Sequence, residues 1–361
     1  MAYVTFLTQK LNSIVVGLGV WIGVFCFPSY AIQIDQDNLG NVSDQESDEL
    51  KRDIKFWNFE LPTLGGTQFW TDHRWCSGWR VQFNSTLNHW RLLNPKSVRR
   101  AWGGKQAMLD ELDRNKSSAV QSQETTEFVL LLHGLMRTSG CMKPIESELN
   151  RIDNQWNGLH PERARHRTAI LFSYASTRDP ISTHAAALRE LVENLPDRVP
   201  ISLVGHSLGN IVVRHAIGDW QSNGDPKRIL PRLNRVVMLG PPNHGSAFAK
   251  KLSRLGLFEI ITGRSGMQLG PSWDDFGHAL GTPPCPFAVI AGDISKSPIQ
   301  NPLLSGASDG VVTIEEAALD GMAEIASVPV LHSFLMSDPA AVRATVSFLS
   351  GTGLKTALED K

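Results

Sequence analysis

Short apolar runs recur between residues 127 and 331, and each is followed by a polar or glycine-containing turn. Runs of this length without polar alternation are typical of strands that are buried on both faces, as in a parallel sheet. The pattern predicts six strands, at Glu127–Leu132, 168–174, 201–204, 235–239, 286–291 and 327–331.

The segments between these runs have the period of an α-helix, with apolar residues three and four positions apart. They predict helices at 141–151, 181–195, 210–219 and 339–349. Strands that alternate with helices predict an α/β fold, in which helices flank a doubly wound, mostly parallel sheet. We expect one such domain over residues 127–350.

The segment before this domain has a different character, since residues 54–112 hold six of the ten Trp residues in the chain. Interleaved Trp and Arg are typical of surfaces that stack on carbohydrate or nucleic acid. Aromatic side chains more commonly pack one segment against another, so we expect a Trp-rich N-terminal extension that packs on the main domain. Residues 113–126 are polar and are interpreted as the boundary.

The N-terminal residues predict that the protein is exported. Residues 14–27 form an unbroken run of apolar residues and glycines, Lys10 is the one charged residue in 1–31, and small residues end the segment at Ala31. This is typical of a secretory signal peptide cleaved after Ala31, with an uncleaved membrane anchor as the alternative. Residues 32–53 are acidic and polar, and we expect a disordered linker.

The net charge and the cysteine content limit which ligands and binding partners are expected. The 361 residues carry 35 Lys and Arg against 36 Asp and Glu, a formal charge of −1, which gives no electrostatic reason to expect nucleic acid. The chain has no CxxC pair and no HExxH motif, so no metal and no cofactor are expected. In an exported chain, Cys76, Cys141 and Cys285 leave open one disulfide or three free thiols.

The strongest indication of a reactive residue is the sequence Gly205-His206-Ser207-Leu208-Gly209. It follows the predicted strand 201–204 directly and precedes the predicted helix 210–219. A GxSxG motif between a strand and a helix predicts a sharp turn that exposes the serine hydroxyl above the sheet. We therefore predict Ser207 as a nucleophile.

Further motifs occur around this turn in a fixed order: Leu132-His133-Gly134-Leu135, Gly240-Pro241-Pro242-Asn243-His244, Ser308-Asp309-Gly310 and Leu331-His332-Ser333-Phe334. With them, the stretch from 128 to 349 resembles the α/β-hydrolase superfamily, and in particular bacterial lipases and esterases. The resemblance implies a serine hydrolase that cleaves carboxylic esters through an acyl-enzyme on a Ser-Asp-His triad.

Two backbone amides are predicted to form the oxyanion hole. One is the N–H of Leu208, the residue after the nucleophile. By the resemblance, the other is the N–H of Leu135 in the loop that follows the first strand of the domain. His133 in the same loop is interpreted as structural.

The base is predicted from chain order, because this fold places its triad in the order Ser, acid, His. The histidines that follow the nucleophile are His215, His244, His278 and His332. Of these, His332 follows the last predicted strand and precedes the terminal helix, so we predict His332.

The acid is predicted as Asp309, since its Asp-Gly turn lies before the predicted base and resembles the lipase acid loop. Asp293, which closely follows the strand 286–291, is the alternative acid. Glu315 and Glu316 are further candidates.

Residues 246–285 fall where this fold carries its cap. Leu252, Leu255, Phe258 and Ile261 define one apolar helical face, which predicts either a short lid or a stripe that packs on the sheet. We expect a small-molecule or lipid ester as substrate, with membrane-surface association as an option. An acyltransferase or amidase with the same triad, and a non-catalytic cell-envelope binding protein on this scaffold, remain as alternatives.

Overall fold

The computed structural model describes residues 61–62, 67–116, 125–246, 265–266, 268–269, 273–297, 304 and 306–359. The predicted signal peptide (1–31) and acidic linker (32–53) lie outside the described residues. So does the predicted apolar face of the cap at 252–261.

The described residues form eleven strands and eight α-helices. The strands are β1 (Leu61–Pro62), β2 (Thr71–Cys76), β3 (Trp79–Asn84), β4 (His89–Leu93), β5 (Val98–Gly103), β6 (Glu127–Leu132), β7 (Arg167–Phe172), β8 (Ile201–His206), β9 (Leu233–Leu239), β10 (Phe287–Gly292) and β11 (Glu324–Val328). The helices are α1 (Lys105–Lys116), α2 (Lys143–Leu159), α3 (Ile181–Val192), α4 (Leu208–Ser222), α5 (Trp273–Phe276), α6 (Ile314–Ala317), α7 (Pro339–Leu349) and α8 (Lys355–Glu359).

Strands β6 to β11 form one parallel sheet in the order β11-β10-β9-β8-β6-β7. The chain runs outward from β6 to β7, crosses back to β8 and then continues outward to β11. Such a doubly wound sheet opens a crevice at the carboxyl ends of the strands where its order reverses, here between β6 and β8. The predicted α/β fold is confirmed.

Both faces of this sheet are covered by helices, which explains the uninterrupted apolar runs. Successive side chains of a strand point to opposite faces. Leu130 of β6 lies in the core shared with α3 and α4, whereas its neighbour Leu131 lies in the core shared with α2 and α7. Both side chains are fully buried, so both faces of the strand favour apolar residues at its centre.

The boundaries of some elements differ from the prediction. The last strand lies at Glu324–Val328 rather than at 327–331, because β11 is an edge strand in which exposed Ile325 and Ser327 alternate with more buried residues. Residues 329–331 instead lead directly to His332. The main domain also continues past residue 350, since Leu354 is fully buried in its core.

The Trp-rich extension is an antiparallel sheet in the order β1-β5-β4-β3-β2. Helix α1 packs on it and continues through residue 113, where the polar boundary was predicted to begin. The two elements share a small core of their own, formed by Val81, Leu92, Ala101, Met108 and Leu112.

The extension contacts the main domain through β2. Among the described Trp residues of the extension, Trp75 packs against the main core, with its ring centroid 5.9 Å from that of Phe128. Trp79 and Trp90 pack instead against the extension's own core. The expectation that aromatic residues join the two parts therefore holds for Trp75 and for Phe69, whose ring centroid lies 4.6 Å from Arg178 Cζ. Polar contacts also join them.

One of these polar contacts is an ionic cluster around Glu190 of α3. His73 Nδ1, Arg74 Nη1 and Lys105 Nζ lie 2.8, 3.0 and 2.8 Å from its carboxylate oxygens. Burial alone would raise the pKa of Glu190, but the bonds from His73 and Lys105 outweigh it and lower the pKa to about 2.

Cys76, Cys141 and Cys285 are free thiols in the structure, which selects the second of the two predicted alternatives. Within the described ranges, no helix has the length and apolar character needed to cross a membrane.

Glu190→Gln tests the ionic cluster. Because the pKa of Glu190 is lower in the folded chain than its ordinary 4.5, its stabilisation is present above pH ~4.5 and is lost as pH falls towards ~2. We expect the variant to lose about 1–2 kcal/mol of unfolding free energy at pH 7. In urea denaturation at a series of pH values, the two stability curves should converge below pH ~4. Curves that coincide at every pH would show that the cluster does not stabilise the fold, and curves that stay separate at every pH would show that the ionised carboxylate is not the cause.

Candidate active site

Ser207 lies in a sharp turn between β8 and α4. Its φ of 52° and ψ of −119° are disfavoured for a residue with a side chain, so the surrounding contacts must hold this conformation. The Ser207 N–H donates to Leu239 O at 2.9 Å. The Asn210 side-chain amide donates to Ser207 O and to Leu239 O, at 3.2 and 3.1 Å.

The two glycines of the motif provide space for this turn. A Cβ on Gly205 would stand 2.3 Å from Asn210 Oδ1, and one on Gly209 would stand 2.6 Å from Leu132 O. Neither distance is tolerated between non-bonded atoms. The first glycine lets α4 begin directly above β8, and the second lets it approach the end of β6.

His332 joins Ser207 to Asp309. Its Nε2 lies 2.8 Å from Ser207 Oγ and its Nδ1 lies 2.6 Å from Asp309 Oδ2. Because an ionised carboxylate can only accept a hydrogen bond, Nδ1 carries the proton and Nε2 is left to accept the proton of the serine hydroxyl. We call these three side chains the hydrogen-bonded chain.

The Asp309 carboxylate is held firmly from its other side. Its Oδ1 accepts from the N–H of Val311 at 2.9 Å and of Val312 at 2.8 Å. The His332 N–H donates to Asp309 O at 3.0 Å, which joins the two residues through the backbone as well. Asp309 is 1% exposed, His332 6% and Ser207 9%, so the chain of hydrogen bonds is largely shielded from water.

His206, next to Ser207, contacts His332. Its Nε2–H donates to His332 O at 3.0 Å, and the two rings lie 5.0 Å apart. Burial lowers the pKa of His206 well below its ordinary value, and the neighbouring His332 lowers it further. His206 is therefore neutral and leaves the charge balance of the site unchanged.

The other candidate bases lie elsewhere. His215 faces Asp219 on its own helix, with Nδ1 3.3 Å from Oδ2, while His244 and His278 are exposed. Of the candidate acids, Asp293 lies in a partly exposed turn and accepts from the N–H of Ser295 at 2.9 Å. Hydrogen bonds from the Ser295 side chain and from this N–H lower the pKa of Asp293. Glu315 is exposed.

Glu316 has a structural role. Its carboxylate accepts from the N–H of Thr313 at 2.9 Å, and the Thr313 hydroxyl accepts from the Glu316 N–H at 3.1 Å. These reciprocal bonds cap the first turn of α6, which explains why an acid stands there.

We call residues 133–137, between β6 and α2, the oxyanion loop, after the oxyanion donor predicted at Leu135. The Gly134 carbonyl accepts from the Arg137 N–H at 3.2 Å and from His133 Nδ1 at 2.9 Å. In a planar trans peptide the C=O and the following N–H point in opposite directions, so these bonds also fix the direction of the Leu135 N–H. Burial lowers the pKa of His133 to about 4, in agreement with a structural histidine.

The oxyanion loop lies directly against Ser207. A Cβ on Gly134 would stand 3.2 Å from Ser207 Cβ and 2.7 Å from His206 Nδ1. Leu208 is the first residue of α4, and the N–H of a first helical residue has no acceptor within its own helix. Both predicted oxyanion donors therefore belong to segments that border Ser207.

Some supporting residues were missed by sequence reasoning. Tyr174 stacks on His133 with centroids 4.1 Å apart and donates its hydroxyl to His133 O. Gly240, with φ of 51°, stands beside His332, since a Cβ there would lie 3.1 Å from the imidazole Nδ1. The sequence gives one indication for Gly240, which is a glycine directly after an apolar strand. No sequence pattern indicates a role for Tyr174.

Among the described side chains, no group of three or more His, Cys, Asp or Glu residues is arranged to hold a metal ion. The hydrogen-bonded chain brings a hydroxyl, an imidazole and a carboxylate into contact. An arrangement of this type can deprotonate a serine as it attacks an electrophilic carbon.

Comparison with known proteins gives a match to one family model over part of the chain. Residues 122–269 match the family model "Putative serine esterase (DUF676)". The matched segment contains the oxyanion loop and Ser207, and it ends before Asp309. No curated protein matches the chain significantly.

Solved structures with a similar chain path include bacterial and metagenomic enzymes. The mature lipase BlEst2 of Bacillus licheniformis is 17% identical, with 64% of this chain and 92% of that chain covered and a TM-score of 0.42. The metagenomic carboxyl esterase MGS0156 is 18% identical, with coverages of 65% and 74% and a TM-score of 0.41. The phospholipase PlaB from Legionella pneumophila is 22% identical, with coverages of 54% and 46% and a TM-score of 0.39.

The family match over residues 122–269 agrees with the predicted resemblance to esterases, and the helix-flanked parallel sheet agrees with the predicted α/β fold. The family match supports ester hydrolysis in general.

Gly240→Ala tests the space beside His332. The added methyl would stand 2.8 Å from Leu335 Cδ1 and 3.1 Å from the imidazole, so we expect the ring to move and labelling of Ser207 by a fluorophosphonate to slow by about tenfold or more. Gly224→Ala is the matched control, because Gly224 also has a positive φ, of 79°, but no atom lies within 4 Å of the added methyl.

Both variants should lose about 1 kcal/mol of unfolding free energy to backbone strain. Only Gly240→Ala should slow labelling. Equal labelling rates in the two variants would show that the imidazole position does not depend on the glycine.

Proposed function

We propose that this protein is a serine hydrolase that cleaves carboxylic esters through an acyl-enzyme, with Ser207 as nucleophile, His332 as general base and acid, and Asp309 as the acid of the triad. The observation that carries the proposal is the continuous hydrogen-bonded chain, with distances of 2.8 and 2.6 Å, in the turn where an α/β-hydrolase exposes its serine.

In the first step, Ser207 Oγ attacks the ester carbonyl carbon while His332 Nε2 takes the hydroxyl proton. The carbonyl oxygen becomes an oxyanion, which accepts hydrogen bonds from the N–H groups of Leu135 and Leu208. The imidazolium then gives its proton to the leaving alcohol oxygen as the carbon–oxygen bond breaks, and the acyl group remains on Ser207.

In the second step, water takes the place of the alcohol. His332 Nε2 accepts a proton from the attacking water, and a second oxyanion forms in the same position. The tetrahedral intermediate collapses, the proton returns to Ser207 Oγ, and the carboxylic acid leaves. Asp309 stays ionised throughout and stabilises the imidazolium through Nδ1–H.

The surroundings of the site favour an ester with an apolar part. Met136, next to the proposed oxyanion donor Leu135, is 40% exposed, and Phe334, two residues after His332, is 55% exposed. Exposed large apolar side chains beside a reactive group are suited to contact an acyl chain or a lipid surface. Transfer of the acyl group to an alcohol is the second outcome that the same intermediate allows.

Ser207→Ala tests the nucleophile. We expect hydrolysis of a p-nitrophenyl ester series, from acetate to palmitate, to fall by about 10³-fold or more at every chain length, because no acyl-enzyme can form. Thermal unfolding should show that the variant is folded. The chain-length profile of the unaltered protein gives its preference, and added alcohol converted to a new ester would identify transfer. Hydrolysis that survives in Ser207→Ala would exclude Ser207 as the nucleophile.

Asp309→Asn tests the acid. The asparagine oxygen can still accept from Val311 and Val312, but its NH₂ group then faces His332 Nδ1 and favours the tautomer in which Nε2 carries the proton. We expect kcat to fall by about 10²–10⁴-fold.

Asp293→Asn is the matched control, because Asn at 293 can keep the bond to the Ser295 N–H. Its kcat should be unchanged. A large loss in Asp293→Asn with a small loss in Asp309→Asn would assign the acid to Asp293.

A further inference from the structure

The Trp-rich extension contacts the loop that supplies one proposed oxyanion donor. Gln68, just before β2, donates its side-chain N–H to Met136 O at 3.2 Å. Met136 immediately follows Leu135, whose N–H is the proposed donor. The extension therefore contacts the main domain at the proposed reactive site as well as at the Glu190 cluster.

The extension also contacts the oxyanion loop indirectly, through residues 173–176, which follow β7. We call these residues the support segment. Asp72 of β2 bonds to Ser173 twice: the Asp72 N–H donates to Ser173 O at 2.9 Å, and the Ser173 N–H donates to Asp72 Oδ2 at 2.7 Å. The hydroxyl of Thr71 accepts from the Ala175 N–H at 3.2 Å. Asp72 is fully buried, and its other oxygen accepts from Gln82 at 2.7 Å.

The support segment in turn holds the oxyanion loop at two points. The Met136 N–H donates to the Ser176 hydroxyl at 3.1 Å. Tyr174 stacks on the His133 ring and donates to His133 O. The oxyanion loop is thus bound on both sides of Gly134 and Leu135.

Met136 needs such restraint because of its backbone conformation. Its φ of 58° is in the left-handed region, which is unfavourable for a residue with a side chain. A strained residue keeps its conformation only where neighbouring contacts over-determine it. Both polar backbone groups of Met136 are bonded, the N–H by the support segment and the C=O by the extension.

We propose that the Trp-rich extension positions the oxyanion loop, with Gln68 acting directly on Met136 and Asp72 acting through the support segment. This inference rests on the proposed function, since it concerns the direction of the Leu135 N–H in the oxyanion hole. The extension thereby belongs to the active unit of the enzyme, and Gln68 and Asp72 are positioning residues that touch no substrate.

Gln68→Ala and Gln68→Glu test the direct contact in the full chain. Ala removes the donor, and Glu keeps the length of the side chain but places a carboxylate against the Met136 carbonyl. We expect kcat for a p-nitrophenyl ester to fall by about three- to tenfold in Gln68→Ala and at least as much in Gln68→Glu, with KM unchanged. The pH profile of kcat should not move, because His332 and Asp309 are untouched.

Binding of an alkyl trifluoromethyl ketone separates positioning from general weakening. This inhibitor forms a tetrahedral oxyanion with the nucleophile, so its Ki should rise by the same factor as kcat/KM falls. Arg74→Gln is the matched control: it breaks a contact between β2 and Glu190, away from the oxyanion loop. It should lower the unfolding midpoint and leave kcat and Ki unchanged.

Full kcat and unchanged Ki in both Gln68 variants would overturn the positioning role while leaving the proposed function intact. Equal losses in Arg74→Gln and Gln68→Ala would also overturn it, because docking as a whole would then be responsible. An unaltered protein that neither hydrolyses esters nor reacts with a fluorophosphonate would refute the proposed function, and the positioning role with it.

Discussion

The hydrogen bond between His332 Nδ1 and Asp309 Oδ2 is the contact on which the arrangement of the site depends. It fixes which imidazole nitrogen carries the proton, and it thereby leaves Nε2 to face Ser207. The two residues come from segments after different strands, β10 and β11, while Ser207 follows β8. Because the strands are parallel, their carboxyl ends meet at one edge, and side chains distant in sequence come within hydrogen-bond distance there.

Close approach at this edge requires residues without side chains. Three glycines near strand ends stand beside the members of the hydrogen-bonded chain, and a Cβ on each would lie between 2.5 and 3.2 Å from its neighbour. The pairs are Gly134 with Ser207, Gly240 with His332, and Gly292 with Asp309. The space that these glycines leave is occupied by the groups proposed to carry out the reaction. The sequence pattern of an apolar strand followed by glycine therefore has a direct steric meaning at this site.

Much of this arrangement could be predicted from the sequence, because strands buried on both faces leave uninterrupted apolar runs and the chain order of the triad is constrained by the fold. The GxSxG motif predicts Ser207, chain order predicts His332, and the Asp-Gly turn with the family resemblance predicts Asp309; the structure brings the three together. The edge strand β11 was misplaced because one side of it faces solvent and its apolar signal is interrupted. The docking of the extension through Asp72 and Gln68 could not be predicted, since buried polar contacts between distant segments leave no periodic pattern. Of the described Trp residues in the extension, only Trp75 packs against the core of the main domain, which is what the Trp content suggested.

Titration with a p-nitrophenyl alkylphosphonate, followed by peptide mapping, tests whether Ser207 is the nucleophile in ester hydrolysis. We expect the reagent to release about one p-nitrophenol per protein chain as phosphonylation removes the esterase activity. The phosphonyl group should then be found on the peptide that contains Ser207. Phosphonylation of a different residue in a sample that hydrolyses esters, or full ester hydrolysis after complete modification of Ser207, would contradict the account.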